Sequence, residues 1–178
     1  MLQLARLAGL VALVLPILGE VAHAQRRAAT PGAARAAAAR ADQVKITIAL
    51  VVDGKNYRAT GLGECTHAPV ASIYRVMAAM WSVQYNSNGS TPRNLSLTMW
   101  RPISGEAPPQ LTVAVNTGSA SHHISTVKGG KIAGAGTVTM QPKGTGGRFD
   151  ISGKSADGKA IRGTIECARF TAAMAEGG

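Results

Sequence analysis

From Val44 onward the chain alternates. Val44, Ile46, Ile48, Leu50 and Val52 fall on one side, and Lys45, Thr47, Ala49, Val51 and Asp53 on the other. Successive side chains of a strand leave on opposite faces, so this period of two describes an extended strand with one buried face. Asp53-Gly54 can take the positive φ of a tight turn, and residues 57–63 are expected to fold back as its hairpin partner. Residues 65–69 read as a less regular loop. Residues 71–80 are compatible with a short helix, but from Met77 the series Met77, Ala79, Trp81, Val83, Tyr85 favours a strand ending in a turn at 86–91. Leu95, Leu97 and Met99 repeat the pattern, and so do Leu111, Val113 and Val115 after the Pro108-Pro109 break. Shorter patterns at 122–127, 137–140, 148–152 and 160–167 are separated by Gly129-Gly130, by residues 142–147 and by Asp157-Gly158. About nine short strands punctuated in this way predict an all-β fold, an antiparallel β-sandwich or barrel.

The first 24 residues have the three parts of an export signal: Arg6, an apolar stretch over residues 7–18, and Ala22-His23-Ala24 as a small-x-small cleavage pattern. The apolar stretch is shorter than the roughly 20 residues of a membrane span, and no other segment is long and apolar enough. A soluble protein, periplasmic or released, is therefore expected, starting near Gln25. Its 154 residues suit one domain. Export also decides how the two cysteines are read. Cys65 and Cys167 are the only thiols, and in an oxidising compartment they are expected to form one disulfide tying the two ends of the domain together.

Charge is unevenly placed. Residues 25–41 are rich in alanine and carry Arg26, Arg27, Arg35 and Arg40 with no acid, which describes a flexible basic linker ahead of a domain at 42–178. That domain has 14 bases against 8 acids. Lys128 and Lys131, with Lys143 and Lys154, fall near predicted turns. A basic surface of this kind selects polyanions such as an acidic glycan, lipopolysaccharide or another envelope component.

The motifs of catalysis are weak. There is no Gly-x-Ser-x-Gly elbow, and Ser121-His122 are adjacent, which does not aim an imidazole at a hydroxyl. Asp150 and Glu166 are an acid pair by type, but Arg148 and Arg162 beside them suggest solvated ion pairs. Cys65, His67, His122, His123 and Cys167 are metal-ligand types without diagnostic spacing, and neighbouring His122 and His123 should face opposite ways. Gly129-Gly130-Lys131 lacks the spacing of a phosphate loop and reads as a turn. Trp81 belongs to an apolar face. Trp100 lies on a polar one, where it would serve as a stacking platform or partner contact unless Arg101 and Pro102 cover it.

The expectation is an exported, non-enzymatic β-domain with no catalytic residues, metal or cofactor, contacting anionic surfaces through Arg26, Arg27, Arg35, Arg40, Lys128, Lys131 and Trp100. The alternatives are a small-ligand or metal carrier, and an inhibitor or adaptor of another exported protein.

Overall fold

The computed structural model describes residues 42–104 and 107–173. The expected leader and basic linker, with its four arginines, lie outside the described residues. Ten strands follow one another: β1 (Gln43–Val52), β2 (Lys55–Ile73), β3 (Val76–Asn86), β4 (Asn94–Pro102), β5 (Gln110–Asn116), β6 (Ser121–Ser125), β7 (Ala135–Lys143), β8 (Gly146–Lys154), β9 (Ala160–Cys167) and the two-residue β10 (Thr171–Ala172). No helix occurs among the described residues.

Of the two architectures open to the sequence, the strands build the barrel. They form a single sheet in the order β6-β5-β4-β3-β2-β1-β9-β8-β7, antiparallel throughout, with β10 added in parallel to β2. The sheet curls until its edges nearly meet. Ser125 bridges Ala133, and the Ala156 N–H donates to the His123 carbonyl at 2.9 Å. The predicted alternation is the reason the sheet can curl. Ile46, Ile48, Leu50, Leu95, Leu97, Met99, Leu111, Ile124, Phe149, Ile161 and Ile165 all point inward and are essentially inaccessible. A barrel of this size is filled by side chains, and this one is. Apolar-in, polar-out alternation is also the reverse of a membrane-spanning barrel.

Two local expectations change. Residues 65–69, expected as a loop, are strand: β2 runs unbroken through Cys65 to Ile73. The register to β3 shifts between Ala68 and Ala71, and this bulge accommodates Pro69, which has no N–H to give a ladder. Residues 71–85 hold no helix either. They are the end of β2, a two-residue turn and β3, as the alternation from Met77 indicated.

The disulfide is formed between Cys65 and Cys167, with Cα atoms 6.2 Å apart. β1 lies between β2 and β9, so the bridge crosses β1 on the inner face of the barrel.

Candidate functional site

One end of the barrel differs from the rest of the surface. β1 pairs with β2 only as far as Glu64, and β10 meets it at Thr66 and His67. Beyond that the β2–β3 hairpin continues with β3 as the only strand paired to β2. Its turn is Tyr74-Arg75, with φ of 45° and 67°. The β1–β2 hairpin uses the same kind of two-residue turn but fills it with Asp53-Gly54, at φ of 50° and 79°. A left-handed backbone costs an ordinary residue roughly 1–2 kcal/mol, so Tyr74 and Arg75 occupy this tip against their local preference.

The tip is rich in exposed apolar side chains. Seven large hydrophobics are exposed among the described residues, and six belong to this region. Val70, Tyr74, Val76 and Met77 lie on the hairpin. Ile103 donates its N–H to the Met77 carbonyl at 3.0 Å. Ile132 is in the β6–β7 connection, onto which Tyr74 packs. A Cβ placed on Gly129 would stand 3.0 Å from the Tyr74 ring, and one on Gly130 2.9 Å from its hydroxyl. The two glycines read as a turn therefore also make room for a ring, and they bring Lys128 and Lys131 beside it. Arg75, Lys128 and Lys131 make no ion pair among the described residues. Between Cys65 and Phe149 the sequence has a single acid, Glu106, against seven bases.

Arg101 extends this cationic end toward the barrel mouth. Its guanidinium lies 4.9 Å from the Trp81 ring centroid, and His67 stacks on Trp81 at 4.6 Å and 12°. Phe170 then lies against both His67 and Phe149. Burial, and secondarily the charge of Arg101, holds His67 below the ordinary histidine range. Unfolding frees His67 to take a proton that the folded site resists. Stability from this site is therefore complete above the unfolded pKa, near 6.5, and declines as pH falls from there through the folded value. The expected result is a modest fall in Tm between about pH 7.5 and pH 5, part of which disappears in His67→Gln, measured by thermal unfolding across that range.

The other residues singled out by sequence are scattered. Trp100 is half-buried on the outer face, between Met80 and Gln110 across the ladders, so it is neither a free platform nor fully covered. Arg101 leaves it and engages Trp81 instead. Lys143 and Lys154 stand at opposite ends of the β7–β8 hairpin, roughly 26 Å of strand apart, so the four lysines form no single cluster. Lys143 is moreover paired with Glu166 at 3.1 Å.

Asp150 and Glu166 are held in a surface ion-pair network. Arg148 reaches Asp150 at 3.1 Å and Glu166 at 3.3 Å. The second base is Lys143 rather than Arg162, because Arg162 stands across from Ser152, four residues along the strand from Glu166. Lys143, with help from Arg148, holds the Glu166 carboxyl below its usual range, which favours a carboxylate over a proton donor.

One polar arrangement was not foreseen. His122 is buried on the inner face and His123 exposed on the outer, as expected for neighbours on a strand. The His122 Nδ1 lies 3.0 Å from Asp157 Oδ2, and the Ser155 hydroxyl donates to Asp157 Oδ1. Those bonds, Ser155 first, hold the Asp157 carboxyl below its ordinary value. Aspartate stands between serine and histidine, whereas hydroxyl activation needs the imidazole in the middle. Ser155 is also engaged with the Lys159 backbone. The trio is a strut joining β6 to the β8–β9 turn. Nothing in sequence reading links residues 35 apart through a turn aspartate.

Surface clefts are open and small. One of about 300 Å³ is lined by Lys45, Thr47, Lys143 and Glu166, and another of about 290 Å³ by Gln84, Asn86, Ser96 and Asn116. Neither contains the tip. Architecture and surface together define a disulfide-closed antiparallel β-barrel with one cationic, apolar end. Comparison of the chain with protein-family models, curated proteins and solved structures found no match.

Proposed function

We propose that this chain is an exported, non-enzymatic binding module that attaches to anionic surfaces of the cell envelope through the β2–β3 end of its barrel. The observation that carries this reading is the segregation of charge. Arg75, Lys128 and Lys131 surround the tip without ion-pair partners among the described residues, while Asp53, Asp150 and Glu166 are paired elsewhere. A net positive surface attracts polyanions, here an acidic glycan or lipopolysaccharide, over distances set by the ionic strength. Residues 25–41 add four arginines and no acid. The disulfide fits an oxidising compartment outside the cytoplasm, in keeping with the export signal read in the first 24 residues. A carrier function finds less support, because side chains occupy the barrel interior and both cysteine sulfurs are bonded to each other.

The test is binding of the oxidised protein to lipopolysaccharide across a salt series. Affinity should fall roughly tenfold or more from about 50 to about 500 mM NaCl, and Lys128→Glu with Lys131→Glu should weaken it at low salt. Binding that ignores salt, or none at low salt, defeats the proposal.

A further inference from the structure

Charge alone does not account for the tip. A surface meant only for a soluble polyanion needs cations and hydrogen-bond donors, yet six of the seven large apolar side chains exposed among the described residues are gathered here. We infer that the β2–β3 hairpin end inserts into the interface of an anionic lipid bilayer, with Tyr74, Val76, Met77 and Ile103 entering the headgroup–acyl boundary and Arg75, Lys128 and Lys131 pairing with lipid phosphates. This deepens the proposed function and rests on it, naming lipid as the surface recognised.

Three observations favour lipid over other occupants. The mixture is that of an interfacial anchor: an amphipathic ring and flexible aliphatic side chains rimmed by cations. The backbone supports it, since Tyr74 and Arg75 take positive φ at the tip where the β1–β2 turn uses Asp-Gly. The charge disfavours a second copy of the chain, because two such ends would bring Arg75, Lys128 and Lys131 against their own kind. The outward face of the barrel is polar, so insertion is confined to the tip and the barrel stays outside the bilayer.

The experiment uses the oxidised protein with vesicles of phosphatidylglycerol and phosphatidylcholine, and with phosphatidylcholine alone, at low salt. Binding should require the anionic lipid. The double substitution Val76→Ser with Met77→Ser should weaken it roughly tenfold or more, as expected when two half-exposed apolar side chains no longer enter the boundary. Leu62→Ser, at the exposed hydrophobic outside the tip, should leave it unchanged. All these side chains are exposed, so folding should be unaffected, with unchanged Tm as the control. Val76→Trp should be quenched by acyl-brominated lipid well beyond the wild type.

If the serine pair binds vesicles as the wild type does while binding stays salt-sensitive, insertion is wrong and the anionic-surface reading stands. Val76→Trp that binds without quenching has the same meaning. Failure of the wild type to bind either anionic vesicles or lipopolysaccharide at low salt removes both. Self-association of the wild type that the serine pair abolishes, with no vesicle binding, overturns insertion in favour of a dimer contact.

Discussion

Replacing Cys65 and Cys167 together by alanine is expected to cost about 2–5 kcal/mol and to lower Tm by about 6–20 °C. The bridged residues are 102 apart in sequence, and cross-linking so long a segment removes much of the freedom of the unfolded chain. The native state is affected too. Both cysteines are buried, and the bridge fastens β2 to β9 across the first residues of β1, where β2 leaves β1 behind to become the free hairpin. Removing it should loosen this end of the barrel first. Thermal unfolding of the double variant against the oxidised protein measures the loss, and hydrogen exchange at β1 and β9 locates it. An unchanged Tm would mean that the sheet holds this end closed without the bridge.

The second large effect is expected at Gly163. It sits mid-strand in β9, opposite Leu50 of β1 and Ile151 of β8, at a φ of 142° that side-chain-bearing residues rarely adopt. A Cβ there would stand 2.1 Å from the Ala49 carbonyl oxygen and 2.8 Å from the Leu50 Cα. Backbone, not a flexible side chain, must then move, and it is backbone at the centre of the sheet. Gly163→Ala should destabilise the protein by about 4 kcal/mol or more, the range reserved for strain and overpacking. Gly163→Val should leave little folded protein, since whole domains are stable by only about 5–15 kcal/mol. Gly89→Ala is the control. Nothing lies within 4 Å of its added Cβ, and its Tm should match the wild type. A Gly163→Ala variant of wild-type stability would show that β1 and β9 part without cost.

The strands were readable because a strand's pattern is local. Lys45 to Val52 can be sorted into inward and outward faces from the chain alone, and so can Leu95 to Met99 and Leu111 to Val115. The cysteine pair was readable for another reason: only one pairing exists. Residues 65–69 misled because Pro69 and the bulge beside it break the alternation without breaking the strand, and the partner that keeps it extended is β3. For Trp100 the chain left two readings, an open platform or a covered ring, and the structure gives a half-buried side chain. Its own neighbours could not decide between them, because the residues across from it, Met80 and Gln110, come from other strands.

The candidate site was half visible. Lys128 and Lys131 stood out as cations beside a glycine turn, but Tyr74 and Val76 lay in a stretch compatible with a short helix, Met77 opened a strand pattern, and Ile103 carried no signal. Whether an apolar residue is core or surface depends on what lies against it, and β1 begins only at Gln43, opposite Glu64, so it does not pair with the outer part of the hairpin. The His122–Asp157 strut was hidden for the same reason, since curvature brings those two side chains together.

Alternation, turn chemistry and a single thiol pair were enough to establish an all-β chain closed by one cystine, because each depends on neighbouring residues or on simple counting. The choice of barrel over sandwich, the meeting of β6 with the β8–β9 turn, and the apolar end left bare beside its cations came from the folded arrangement. They depend on register and curl accumulated across nine strands, which no short window of residues contains.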